Sequence, residues 1–394
     1  MFRFVNQFFR ITLVEWRTML RDPACMLIIV VGVLLYAFYY PYPYKEEVAN
    51  KAPAAIVDEN HSAMSRQIIQ MASAAQEDTI VAVLPQESEA QKLLADESIY
   101  CYLKIPEGTE AELRKGNNVS LGVYCHGAFI LLYGNIATSF AMVAGSVGAT
   151  TQVKHIALRG NSVAQAKAIR DPIPTRFFRM FNQSGGYGIY AVSAVLMIIL
   201  QQTCLIGVCV MGGARRNRKF KLLKNCEDTE NAPLISRYFG RSLAFVLHYL
   251  VALFFYKFIV YHVFEFPNRG DSWLVFIFGL IFFGCVVNMG MFFAQFLKYR
   301  ESALAIFASV PILVLFSSGF SWPISNMPVW IRALGLAFPS TYAIPAWLEI
   351  QNLGATFSEV APELLKLFLL SCFYLVLGIL NTIRRDELEK RGCR

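Results

Sequence analysis

Few residues in this 394-residue chain are placed to do chemistry. Nucleotide chemistry would need a glycine loop closed by Lys-Ser or Lys-Thr after a strand, and the sequence has none. It also lacks a His-Glu-x-x-His pair and a Gly-x-Ser-x-Gly elbow. His61, His126, His155, His248 and His262 stand far apart. The nine cysteines show no Cys-x-x-Cys spacing, so the sequence offers no zinc site. What remains are polar groups inside long apolar runs: Gln201, Gln202, Lys257 and Asn288. Such groups are expensive in lipid and often line a translocation path. Each also has a plainer use. The amides can bond helix to helix, and the lysine lies close enough to a span end to snorkel. The sequence therefore assigns no catalytic, cofactor or metal residue, and these four are candidates for a path across a membrane.

The elements around them fit that reading. The chain is 56% hydrophobic and 16% charged, whereas a soluble domain carries about 25% charge. A net charge of +8 would suggest nucleic acid if the basic residues formed one patch. They stand beside the apolar runs instead, as the positive-inside rule expects, so no nucleic-acid partner is expected. Six runs read as spans: 24–40, 187–212, 242–263, 273–297, 302–318 and 359–382. Residues 1–22 read as a cytoplasmic interfacial helix, with Phe4, Phe8 and Ile11 at helical spacing among arginines. Asp22-Pro23 ends it, and 23–44 forms the first span with its tyrosine belt. Arg215, Arg216, Arg218, Lys219, Lys221 and Lys224 place the end of the second span in the cytoplasm. Arg384, Arg385, Lys390 and Arg391 place the 383–394 tail there too.

Residues 45–182 have a different rhythm. Short strands at 54–57, 79–84, 99–105 and 119–124 alternate with helical stretches, which predicts a small extracytoplasmic α/β domain. Cys101 and Cys125 fall on neighbouring strands there, which leaves a disulfide open. A long helix over 129–159 is expected to lead back towards the membrane.

The stretch before the last span is the most unusual. Gly319, Pro323, Pro328, Gly335 and Pro339 break an apolar segment that also holds Met327, Trp330 and Tyr342. Broken backbone survives at membrane depth only inside protein or beside water. The segment 319–347 thus predicts a re-entrant or interfacial helix pair, with Trp322, Trp330 and Trp347 at headgroup level. The fold class is a polytopic α-helical membrane protein of six spans, carrying that pair and a small α/β domain. Residues 183–382 form its five-helix membrane part, with a cytoplasmic loop at 213–241.

The run SGFSWPISNMPVWIRALGLAFPSTY resembles the hallmark that precedes the last helix of type-2 ABC exporter permeases. Glu15 to Pro23 is similar to the start of those chains. Residues 54–65 and 105–116 are similar to the outer domain of one subgroup, and Leu222-Leu223, Pro233, Ser236-Arg237 and Gly240-Arg241 to its cytoplasmic loop. The loop lacks the family's leading glutamate and carries extra residues, 225–231. The resemblance implies the permease subunit of an ATP-driven exporter, moving a drug, lipid or other amphipathic substrate out across the bacterial inner membrane. It implies a separate ABC ATP-binding subunit that carries ATP and Mg, a second permease of the same or another kind, surrounding lipids, and a periplasmic membrane-fusion adaptor in some relatives. Glu15, Arg21, Asp22, Leu222, Leu223, Pro233 and Arg237 become the ATPase-coupling candidates, and the residues of the broken stretch the gating candidates. The rival reading is an ATPase-independent surface protein, of phage-receptor or secretion-accessory type, built on the same spans.

Overall fold

The computed structural model describes residues 2–45, 51–75, 78–174, 180–182, 186, 188–216, 232–320 and 322–390. The chain folds as two compact units, Glu46–Gly185 and the remainder.

In the smaller unit, β1 (Ala52–Asp58), α1 (Ala63–Ser73), β2 (Asp78–Leu84), α2 (Glu87–Ala95), β3 (Cys101–Ile105), α3 (Thr109–Lys115) and β4 (Gly122–Cys125) follow one another. They build one sheet in the order β2-β1-β3-β4. β1 runs parallel to both of its neighbours, and β4 is antiparallel to β3. Successive side chains of a strand face opposite sides, and the burial follows that period. Ala54, Ile56, Cys101, Leu103 and Ile105 pack on one face with Ile68 and Ala72 of α1. Ala55, Val57 and Tyr102 pack on the other with Ala90 and Leu93 of α2. The start of α1 is fixed locally. Ser62 and Ser65 form a reciprocal capping box, and Asp58 accepts from Ser65 Oγ at 2.7 Å and from His61 N at 2.9 Å.

The long helix α4 runs from Ile130 to Leu158. It is a wall of the domain: Ile136, Phe140, Val143 and Val147 are buried against the first sheet face. A short helix, α5 (Val163–Arg170), then packs on α4 behind a Ser162–Gln165 capping box. Cys101 and Cys125 sit directly opposite each other in the antiparallel register and are joined by a disulfide.

In the larger unit, six helices among the described residues are long and apolar enough to cross a membrane: Pro23–Tyr44, Gly188–Arg216, Leu234–Val263, Ser272–Ala294, Arg300–Ser317 and Phe357–Arg385. The N-terminal helix Phe2–Arg21 precedes them and lies along the third span. The second span is enclosed, with nearly every residue from Ser193 to Ala214 buried. The fourth span packs on the second, third and sixth. Between the fifth and sixth spans lie two short helices, α6 (Val329–Gly335) and α7 (Ser340–Leu348).

Candidate functional site

The N-terminal helix buries one stripe. Ile11, Glu15, Thr18, Met19 and Asp22 are all under 8% exposed and recur at helical spacing. Two carboxylates therefore lie on the packed side, not on an outer surface where an ATPase contact was expected. Their partners come from three other segments. Arg215, at the end of the second span, donates to Glu15. Arg241 Nε, in the third span, lies 3.9 Å from the other Glu15 oxygen. Arg300, which opens the fifth span, grips both oxygens of Asp22 at 2.9 and 3.3 Å. Such a fork is the guanidinium's best geometry for a carboxylate. Asp22 also caps the first span by accepting from Cys25 N at 2.8 Å, and Pro23 follows at the first helical position, where its missing N–H costs nothing.

Tight backbone packing holds this cluster. A Cβ on Gly213 would stand 2.8 Å from Tyr299 O and 2.9 Å from Arg300 Cα. Only glycine lets the second span come this close to the turn between the fourth and fifth. Arg216 donates to Leu297 O of the same turn at 2.7 Å. Of the other coupling candidates, Arg21 and Pro233 are exposed, Arg237 is half-buried, and Leu222 and Leu223 lie outside the described residues. Sequence reading missed Arg215, Arg241 and Arg300 as partners. The signal was the seven-residue spacing of Glu15 and Asp22, which puts two acids on the same face as Ile11 and Met19.

The broken stretch forms the short helices its punctuation implied. The chain turns after the fifth span at Gly319, where φ is +84°. Pro323 begins a 3-10 turn over Ile324–Asn326, Met327 is extended, and Pro328 caps α6. Pro339 caps α7. Thr341 Oγ1 donates to Gly335 O at 2.6 Å and Tyr342 OH to Leu336 O at 3.2 Å, which ties α7 back to the end of α6. Trp322 and Trp330 are exposed, as a headgroup position needs, but Trp347 is fully buried and donates to Tyr261 OH at 2.7 Å. Burial of so large a ring anchors α7 in the protein.

The four polar candidates inside spans do not converge. Gln201 accepts from Ser340 N at 2.8 Å and so holds the start of α7 against the second span. Gln202 donates to Phe307 O of the fifth span. Asn288 donates to Ser371 Oγ at 3.1 Å, joining the fourth and sixth spans. Lys257 is 2% exposed, and its ammonium donates to Asn268 Oδ1 at 2.6 Å and Gly270 O at 2.7 Å. It ends in the loop between the third and fourth spans rather than snorkelling to water.

In the α/β unit the main charged cluster is a brace. Lys104 Nζ lies 3.0 Å from Glu59 and 2.7 Å from Glu87. The hydrogen bond from Lys104, helped by one from Tyr102, holds the Glu87 carboxyl below its usual range.

A family model described as "ABC-2 family transporter protein" matches residues 24–380, nearly the whole chain. The chain belongs to this family. No curated protein matches it. The family match, together with six helices among the described residues that are long and apolar enough to cross a membrane, describes a membrane permease, whose family partner is an ABC ATP-binding subunit. The match lends nothing to the rival reading of an ATPase-independent surface protein.

Proposed function

We propose that this ABC-2 family chain is the permease of an exporter that carries drug, lipid or other amphipathic cargo out across a bacterial inner membrane. ATP and Mg would sit on a separate ATP-binding subunit, and a second permease of the same or another kind would complete the pair. A periplasmic adaptor would dock on the α/β unit. The observation that carries this reading is the family match over 24–380, which spans both the α/β unit and the helices. The Cys101–Cys125 disulfide supports an outward α/β unit, because disulfides persist in oxidising compartments. The basic residues that follow the second and sixth spans support cytoplasmic termini.

Thiol labelling tests the orientation. Single cysteines replace the exposed Asp96 and Lys298 in a chain that otherwise keeps only the disulfide-bonded Cys101 and Cys125. An impermeant reagent on intact spheroplasts should label Asp96→Cys and spare Lys298→Cys. The reverse pattern would invert the topology and remove export as drawn. Growth of a deletion strain on a compound panel then sorts drug cargo from lipid or polymer.

A further inference from the structure

We propose that the Glu15 and Asp22 ion pairs form a latch that holds the resting arrangement of the spans and must part during each ATP-driven cycle. This rests on the permease reading above. The N-terminal helix is joined to the second, third and fifth spans through these two carboxylates. The residues concerned lie 200 and 278 positions apart along the chain for the Glu15–Arg215 and Asp22–Arg300 pairs. One helix thus reports to three spans at once.

Stability alone does not call for charges here. Replacing a buried ion pair by well-packed apolar groups is often neutral or stabilising. An apolar stripe already exists on this helix, in Ile11 and Met19. What ion pairs add is a choice between discrete arrangements, since packed interfaces switch rather than deform continuously. Glu15 faces arginines from two different spans. One oxygen is bonded to Arg215 while Arg241, on another span, stands 3.9 Å from the other. A modest slide of the helix would strengthen one partnership at the expense of the other. Asp22 supplies the second catch, because its oxygens serve both the cap of the first span and the Arg300 fork. Pulling Arg300 away would leave the cap intact and uncouple the start of the first span from that of the fifth. That span leads directly into the broken stretch and α6.

The test uses the full complex, permease with its co-purified ATP-binding subunit, in lipid vesicles. Asp22→Asn keeps the capping oxygen and the shape and loses the charge. A latch predicts cargo-independent ATP hydrolysis several-fold above wild type. A merely structural pair predicts less folded complex and no gain per molecule. As a second arm, Pro23→Cys with Tyr299→Cys places thiols at exposed positions beside the Asp22–Arg300 pair. Bridging them with a short, reversible bifunctional thiol reagent should cut ATP hydrolysis at least tenfold, and reductant should restore it. Folded Asp22→Asn with wild-type basal hydrolysis, or full hydrolysis in the bridged complex, would overturn the latch. Absence of hydrolysis in the unmodified complex would instead strike at the permease reading, so the two failures are distinct.

Discussion

Lys257→Met is expected to reduce the melting temperature of the chain by a few degrees, while the molecules that fold keep wild-type transport. Methionine matches the length of the lysine stem and suits an apolar span. It cannot replace the two bonds that the ammonium makes to Asn268 Oδ1 and Gly270 O. Asn268 is exposed and Gly270 half-buried, so water takes up the freed acceptors and the change costs about 0.5–1.5 kcal/mol for each bond lost. Asn268 is held from both sides, because its amide nitrogen donates to Lys257 O at 3.0 Å. The loop between the third and fourth spans should therefore loosen as a unit. Thermal melting of the purified chain in detergent, beside cargo efflux corrected for folded protein, makes the measurement. Unchanged melting with lost efflux would move Lys257 from the loop to the translocation path.

The second large effect concerns the α/β unit. Replacing Cys101 and Cys125 together by serine should lower the melting of that unit by on the order of 10 °C. The disulfide closes a sequence separation of 24 residues, and such a closure is worth about 3 kcal/mol in the chain-entropy account. Cys101 is also fully buried, so a serine hydroxyl there would add a polar group to the first face of the sheet. Spans outside this unit should be untouched, and the variant should still insert. Scanning calorimetry of wild type with and without reductant gives the comparison. Identical melting in all three samples would show that the bridge does not hold the sheet.

Much of this fold was legible before the structure, and for a physical reason. Lipid demands long apolar runs, so Pro23–Tyr44 and the five later spans announce themselves by composition. The succession of strands and helices in the α/β unit could be read because short apolar runs and helical stretches alternate from Ala52 to Cys125, whereas the sheet order β2-β1-β3-β4 could not. Prolines mark where backbone bonds must stop, and Pro328 and Pro339 duly precede α6 and α7. What could not be read were partnerships across the chain. Nothing in the spacing near Glu15 names Arg215, and nothing near Asp22 names Arg300. Trp347 looked like its exposed neighbours Trp322 and Trp330, since an indole suits both a headgroup belt and a core. Its burial is set by Tyr261 and Phe278, which lie in other spans. The role of α4 was hidden as well. Its small and apolar residues run all round the helix, so no stripe marks the side that meets the sheet.

This ABC-2 family permease is expected to work with a separate ATP-hydrolysing subunit. The most direct measurement is affinity purification of the tagged full chain from its native membranes in mild detergent, followed by identification of bound proteins and an ATPase assay. An ABC ATP-binding subunit should come down in near-stoichiometric amount, with ATP hydrolysis that disappears when that subunit is washed away. A chain recovered intact and folded, with no ATP-binding subunit and no hydrolysis, would contradict it.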